Sequence, residues 1–261
     1  MSKHSNSQDS QEYLEKKRFF NQLLTIFGRK PVLEALQEKG SKIHRLHLAE
    51  SNKKAKILDD IIALAQQKGA EILYHDSKAL SRISKNAKQD QGIAADLICD
   101  GYQSHSSFLE QQTGPFELLA IDGVTNPQNL GMIIRSAAAG QIDGILLPQQ
   151  GCARLDALVI KASAGTLFKA PILRCDKLID ALKDCQQHGA KICGLSSHAT
   201  ETLSQFQNSK GSVFVVGNET DGLSKAVEDV CDHWLSIPMR NGVESLNVAV
   251  TASLIAFRKA I

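Results

Sequence analysis

The sequence predicts an α/β protein of two units, a small N-terminal one and a larger C-terminal one built on a mainly parallel sheet. Three observations carry this. Strand-like and helix-like apolar runs alternate along both units, which is the pattern of a sheet covered on its faces. A polar, turn-rich stretch, 101–115, separates them with only Phe108 and Leu109 to bury. Finally, two late strands end at glycine or proline and place polar residues where a helix should begin, as open α/β sheets do at ligand sites.

The units follow in order. Residues 1–23 are rich in Ser, Gln, Asn and Lys and read as a flexible tail. In 24–100, strands are expected near 24–28, 43–48, 72–74 and 92–99. Helices are expected after Pro31, across Ile57–Ala65, and from Ser77 as N-cap. After the 101–115 linker, the 116–261 unit should hold strands at 118–122, 142–147, 191–195, 213–217 and 234–237. Its helices should run over 129–139, 176–188, from Asp156, from Ser224 and from Ser245. In the last of these, Leu246, Val250, Leu254 and Phe257 read as a stripe facing the core or a second subunit.

Bulk composition sets limits. At 261 residues, 43% hydrophobic and 22% charged, the chain has the make-up of an ordinary globular protein. No apolar run is long enough to span a bilayer and no signal-peptide core stands at the start, so a cytoplasmic protein is expected. The net charge of +2 does not by itself argue for a nucleic-acid partner. A local cluster, His44, Arg45, His47, Lys53, Lys54 and Lys56, is equally a phosphate-facing patch or a solvated face. The six cysteines show neither C-x-x-C pairs nor zinc spacing, so no metal and no disulfide is expected.

Chemistry concentrates in three segments. In Asn126–Arg135 a turn leads into a helix, and Arg135 falls beside its apolar face. Packing in an ion pair and a rigid fork for phosphate suit that place equally. In Val215–Leu223 a strand ends at Gly217, with Glu219 the nearest full charge. No G-x-G-x-x-G follows, which weighs against a nicotinamide or flavin enzyme. In Ile237–Asn247 either Ser245 or Asn247 suffices to cap the final helix, leaving the other polar group over.

Written as N-P-x-N-x-G-x-x-x-R, V-x-G-x-E-x-x-G-L and I-P-M-x-x-x-x-x-S-L-N, these segments resemble the SpoU-type RNA ribose methyltransferases of the SPOUT superfamily, in that family's order and spacing. The first unit resembles the family's small ribosomal-protein-like substrate-binding domain, through Phe27–Leu36 and Gln91–Ala95. Asn126 departs from the family's usual aspartate; a helix-turn role survives that change and an obligatory negative charge does not.

The resemblance implies a deep trefoil knot in the C-terminal unit, a homodimer, and S-adenosylmethionine as cofactor, held around Leu195, Gly217, Ile237, Met239 and Leu246. It implies methyl transfer to a ribose 2′-hydroxyl of RNA, preferably ribosomal RNA, with Arg135 at the reacting oxygen. Asn129, Glu219, Ser245 and Asn247 orient Arg135 and the ribose. Arg29, Arg45, Lys53 and Lys54 of the first unit are then the expected RNA contacts. Transfer RNA is the alternative substrate, and a non-catalytic RNA-binding or ribosome-assembly factor of the same fold is the alternative role.

Overall fold

The computed structural model describes residues 19–20, 22–86, 88–218 and 220–260. The tail expected over 1–23 lies mostly outside them, as does Glu219.

The first unit runs β1 (Leu23–Phe27), α1 (Arg29–Gln37), β2 (Lys42–Ala49), α2 (Lys56–Gln67), β3 (Glu71–His75), α3 (Ser77–Ser84) and β4 (Ile93–Ile98). Its sheet is ordered β1-β4-β2-β3, with β4 antiparallel to both neighbours and β3 parallel to β2. Leu24, Ile26, Leu46, Leu48, Ile93 and Leu97 turn one face into the core, the period-two pattern of pleated strands. The N-cap of α3 is Asp76, whose carboxylate accepts from the Ala79 N–H at 2.8 Å. Ser77, expected in that role, is the first helical residue instead.

A polar chain crosses the other face. Thr25 Oγ1–H donates to Asp96 Oδ1 (2.6 Å), His47 lies 3.0 Å from Asp96 Oδ2, and the other ring nitrogen of His47 is 3.0 Å from His75. Burial alone would raise the Asp96 carboxyl, but the bonds from His47 and Thr25 outweigh it and hold its pKa below the ordinary range. Because the folded value is depressed, this contribution to stability is present above the unfolded value and is lost as pH falls through the folded one. Urea unfolding followed downward from about pH 5 should therefore show the protein weakening below about pH 4. Asp96→Asn should be weaker at neutral pH and flatter in that acid limb. Parallel curves for the two proteins would remove Asp96 from this role.

The second unit runs β5 (Gln103–Ser104), α4 (His105–Gln111), β6 (Glu117–Ile121), α5 (Pro127–Ala139), β7 (Gly144–Pro148), α6 (Ala157–Ala162), a 3₁₀ turn (Thr166–Phe168) and β8 (Ile172–Cys175). It continues with α7 (Leu178–Gln187), β9 (Lys191–Leu195), β10 (Ser212–Val216), α8 (Lys225–Glu228), β11 (His233–Leu235) and α9 (Val248–Phe257). All seven strands are parallel, in the order β11-β9-β10-β6-β7-β8-β5. Every residue of β6 and β10 is buried, as expected of central parallel strands covered on both faces. Leu119 and Ile121 join the core on one face, and Leu118 and Ala120 the core on the other.

One expectation needs correcting and another refining. The 101–115 stretch is an ordered part of this unit rather than a plain linker. It supplies edge strand β5 and helix α4, capped by Ser104, and it buries Phe108 and Leu109. In α9 the side buried against the protein is Val248, Ala249, Ala252, Ile255 and Ala256, while Val250 is 48% exposed and Leu254 and Phe257 are half-buried. Small side chains let α9 lie close on α5, where Ser253 Oγ–H donates to Ser136 Oγ at 2.7 Å. Leu254 and Phe257 still pack partly against the main core, so Val250 is the residue of the expected stripe that is turned outward.

The six cysteines are free thiols. Burial pushes Cys99, Cys175, Cys185 and Cys193 up to about 12, so they stay protonated near neutral pH and pack as small apolar groups. Among the described residues no helix is long and apolar enough to cross a membrane, and no cluster of His, Cys, Asp or Glu is arranged to hold a metal ion.

Candidate active site

Parallel strands deliver all their C-terminal ends to one edge, and the three motif segments meet there. The first begins at Asn126, the N-cap of α5, whose side-chain oxygen accepts from the Gln128 and Asn129 N–H groups (2.8 and 3.4 Å). This is the helix-turn role, which an asparagine fills as well as an aspartate. Pro127 occupies the first helical turn, where its missing N–H is harmless. The helix therefore starts earlier than the expected Asn129. Gly131 serves packing: a Cβ there would stand 2.4 Å from the Ala162 Cβ and 2.9 Å from the Val159 carbonyl of α6.

The second segment closes on itself beyond β10. Asn218 and Gly222 exchange two backbone hydrogen bonds (2.9 and 3.0 Å), and the Asn218 side-chain oxygen accepts from the Thr220 N–H at 2.8 Å. A Cβ on Gly217 would lie 2.3 Å from the Gly222 carbonyl oxygen and 2.7 Å from the Leu223 nitrogen. Glycine is required here because the chain folds back over it, an approach made by the protein's own loop. Asn218 Nδ2–H donates to the Gly123 carbonyl (2.9 Å) and the Ser224 N–H to Asp122 Oδ2 (2.6 Å), fastening this turn to the end of β6.

The third segment supplies the N-cap of α9. That cap is Asn247, accepting from the Ala249 N–H at 2.9 Å, so Ser245 is the residue left over. Asn247 Nδ2–H also donates to Asn129 Oδ1 at 3.2 Å, joining the starts of α5 and α9. Asn129 is buried.

Between the ends of β9 and β10 and the start of α9 lies a cavity of about 440 Å³. Leu195, Gly217, Ser245 and Leu246 line it, together with Leu223, the last residue of the second motif, and Thr251, which the sequence did not single out. Ile237 and Met239 are half-buried and stand outside its lining, Ile237 against the main core. The walls combine strand-end backbone groups with apolar side chains and a few hydroxyls, which suits a flat heteroaromatic ligand. Arg135 is elsewhere: it is exposed on α5, outside this lining, with no hydrogen-bond or ionic partner among the described residues. Met132, one turn earlier on the same helix, is 42% exposed.

The four expected RNA contacts do not form one patch. Arg29 is engaged internally, donating from Nε to the Gln91 carbonyl (3.2 Å) and from Nη2 to Asn52 Oδ1 (3.1 Å). Lys53 and Lys54 are exposed in the loop that holds Asn52. Arg45 pairs with Glu71 at 2.7 Å and sits back along β2, roughly 13 Å from the strand's end at the usual rise per residue.

Comparison with known proteins agrees with this architecture. The profile of the SpoU rRNA Methylase family matches residues 117–257, and that for RNA 2′-O ribose methyltransferase substrate binding matches 25–99. A Mycobacterium avium (strain 104) protein named "Uncharacterized tRNA/rRNA methyltransferase" is 35% identical over 233 residues, spanning 88% of this chain and 75% of its own. Its namesake in Mycobacterium marinum (strain ATCC BAA-535 / M) is 34% identical, spanning 88% and 74%. The crystal structure of the SpoU methyltransferase AviRb from Streptomyces viridochromogenes, in complex with the cofactor AdoMet, shares the fold. Its TM-score is 0.59 at 22% identity, over 95% of this chain and 92% of that one. The AdoMet-bound rRNA methyltransferase from Sinorhizobium meliloti does likewise, with a TM-score of 0.57 at 22% identity over 95% and 89%. With the methylase profile matched over more than half its length, the chain belongs to the SpoU rRNA methylase family of RNA methyltransferases.

Proposed function

We propose that this protein transfers the methyl group of S-adenosylmethionine to a ribose 2′-hydroxyl of ribosomal RNA, and that it works as a homodimer in the cytoplasm. The observation that carries the reading is the convergence of the three motif segments. The cavity at the ends of β9 and β10 brings Leu195, Gly217, Ser245 and Leu246 together, and the Asn247–Asn129 bond draws the first segment to its rim. Backbone edges and apolar walls there fit an adenosine, with hydroxyls from Ser245 and Thr251 within the lining. Ile237 and Met239 stand outside this lining, and their part in holding the cofactor rests on the motif resemblance alone. The trefoil knot implied by the motifs belongs to the same proposal.

The cofactor supplies an electrophilic methyl group; the chain's own residues must prepare the hydroxyl. A guanidinium with a pKa above about 12 is a poor proton acceptor. Arg135 therefore acts by holding the ribose oxygen and stabilising the charge that develops on it. Because Arg135 projects from the exposed side of α5, beside the outward Met132, it serves the partner subunit's cavity, and the outward apolar residues of α5 and α9 form the subunit contact. Asn129, Ser245 and Asn247 orient the ribose, a role that the motif resemblance also implies for Glu219.

Gly217→Ala tests the cofactor site. The added methyl group forces the Asn218–Gly222 turn open, so calorimetric affinity for S-adenosylmethionine should fall by on the order of 10- to 100-fold, a cost of a few kcal/mol. Unchanged affinity would place the cofactor elsewhere. For the reaction itself, purified protein with labelled S-adenosylmethionine should label ribosomal RNA and not DNA, which lacks the acceptor hydroxyl. Mapping 2′-O-methyl sites in cells with and without the protein then identifies the nucleotide. Label on transfer RNA alone would transfer the proposal to that substrate, and binding without label would make the protein a non-catalytic factor.

A further inference from the structure

A second cleft, of about 300 Å³, lies where the two units meet. The first unit contributes Thr25 and Lys85, and the second contributes Gln149, Arg154 and Arg174 from the ends of β7 and β8. No carboxylate among the described residues lines it. Among the described residues none of the three cations has an ionic partner. In a chain of net charge +2, three unneutralised cations in one concave surface are a local concentration of positive potential.

The site is also organised. The guanidinium carbon of Arg174 stands 5.1 Å from the centroid of the Tyr102 ring, a stacking shelf that restricts the fork before any ligand arrives. Tyr102 itself is buried, and burial pushes its phenol up to about 12, so the shelf stays neutral. Lys85 follows α3 with φ of 52°, a place where glycine or asparagine costs less. The cleft continues past Gln149 and Arg174 into a hydroxyl-bearing hollow with Ser104 and Ser106. The acid there, Asp176, already accepts from Gln149 at 2.6 Å.

Position adds the third argument. The Ala153 N–H, in the cleft wall beside Arg154, donates to the Val124 carbonyl at 2.9 Å. That turn is in turn held by Asn218, which lines the methyl-transfer cavity. Cleft and cavity thus open on the same strand-end edge, joined through one turn. We infer that the inter-unit cleft binds backbone phosphates of the RNA substrate, with Lys85, Arg154 and Arg174 as the phosphate contacts. This assignment rests on the RNA methyltransferase reading and extends it to residues that reading does not use.

The test is the salt dependence of RNA binding by the full-length protein, with single-stranded oligouridylate and bulk ribosomal RNA as probes. Lys85→Asn, Arg154→Ala and Arg174→Gln combined should weaken binding at least tenfold at moderate salt. They should reduce the slope of log affinity against log salt by about 2 on oligouridylate, since each single-strand phosphate contact contributes about 0.7. Affinity for S-adenosylmethionine and the melting temperature should stay at wild-type values. If the triple variant melts early, the exposed pair Lys85→Asn and Arg154→Ala tests the same assignment, with about two-thirds of the slope change expected. Wild-type affinity and slope in the variants, with methyl transfer intact, overturn the cleft while leaving the enzyme reading in place. Saturable binding of inorganic phosphate at the cleft, with RNA binding untouched by the substitutions, also overturns it and assigns the cleft to a free anion. A wild-type protein that binds neither RNA nor S-adenosylmethionine overturns both.

Discussion

Arg135→Ala is expected to lower methyl transfer by on the order of 10²- to 10³-fold, the usual loss when one donor to a developing oxyanion is removed. S-adenosylmethionine should bind as before, because Arg135 is not among the residues lining the cavity. Arg135→Lys keeps the charge but loses the planar fork, and it should recover only part of the rate. A sharper version uses two defective proteins together, at an S-adenosylmethionine concentration too low to load Gly217→Ala. Arg135→Ala has an intact cavity, whereas Gly217→Ala keeps its arginine. If the guanidinium reaches across a dimer, a mixed dimer of the two regains one working site, and co-expression restores activity. If each arginine serves its own subunit, every site in the mixed dimer carries a defect and activity stays lost. Reduced S-adenosylmethionine binding in Arg135→Ala would instead point to altered folding or assembly.

Glu117→Ala should be the most damaging substitution for stability, by about 3–5 kcal/mol in urea unfolding at neutral pH. Glu117, at the start of β6, is buried and receives Arg258 Nη2 and, at 2.9 Å, Lys259 Nζ from just beyond α9. The Arg258 side chain is only 8% exposed, with its guanidinium carbon 4.9 Å from the Phe214 ring centroid and its Nε without a partner among the described residues. Removing the acid leaves a cation in the interior with no counter-charge, and that penalty exceeds whatever the pair itself contributes. Glu117→Gln, which keeps an accepting oxygen, should cost distinctly less. Replacing Glu117 by Leu and Arg258 by Met together should come close to wild type. A loss below about 1 kcal/mol for Glu117→Ala would mean that water reaches the arginine and the pair behaves as a surface one.

Much of this architecture is legible in the chain because local chemistry and tertiary structure agree. Lys191–Leu195 reads as a strand and is β9 over those residues; apolar central strands and capped helices leave little choice. Where legibility fails, the deciding contacts are distant. Asn126 and Pro127 look like turn residues, and only the cap geometry makes them the start of α5. In α9 the stripe expected to face the core or a second subunit is half-buried at Leu254 and Phe257 and open at Val250, because α5 takes the alanine side, where it can approach closer. Strand β8 is four residues long and includes Arg174, so its pattern is too short to register. At the cavity, Leu195, Gly217, Ser245 and Leu246 are readable from motif spacing. Thr251 is not, because which side chains of α9 turn toward the cavity follows from packing. Lys85, Arg154 and Arg174 carry no shared local signal; three separate segments meet only through the contact between units.

The placement of β10 has a consequence for how the molecule is made. Leu119 of β6 hydrogen-bonds its way into register beside Phe214, although β7 and β8 precede β10 in synthesis. During translation the middle of the large sheet therefore waits, with one long apolar margin of β6 uncovered, until the segment around Phe214 leaves the ribosome. Pairings of such sequence separation close slowly, and an exposed parallel margin invites association between nascent chains. A product that stops short of Ser212 should accumulate in aggregates or be degraded, while loss of only the residues after Lys259, which keeps both counter-charges of Glu117, leaves the sheet able to close.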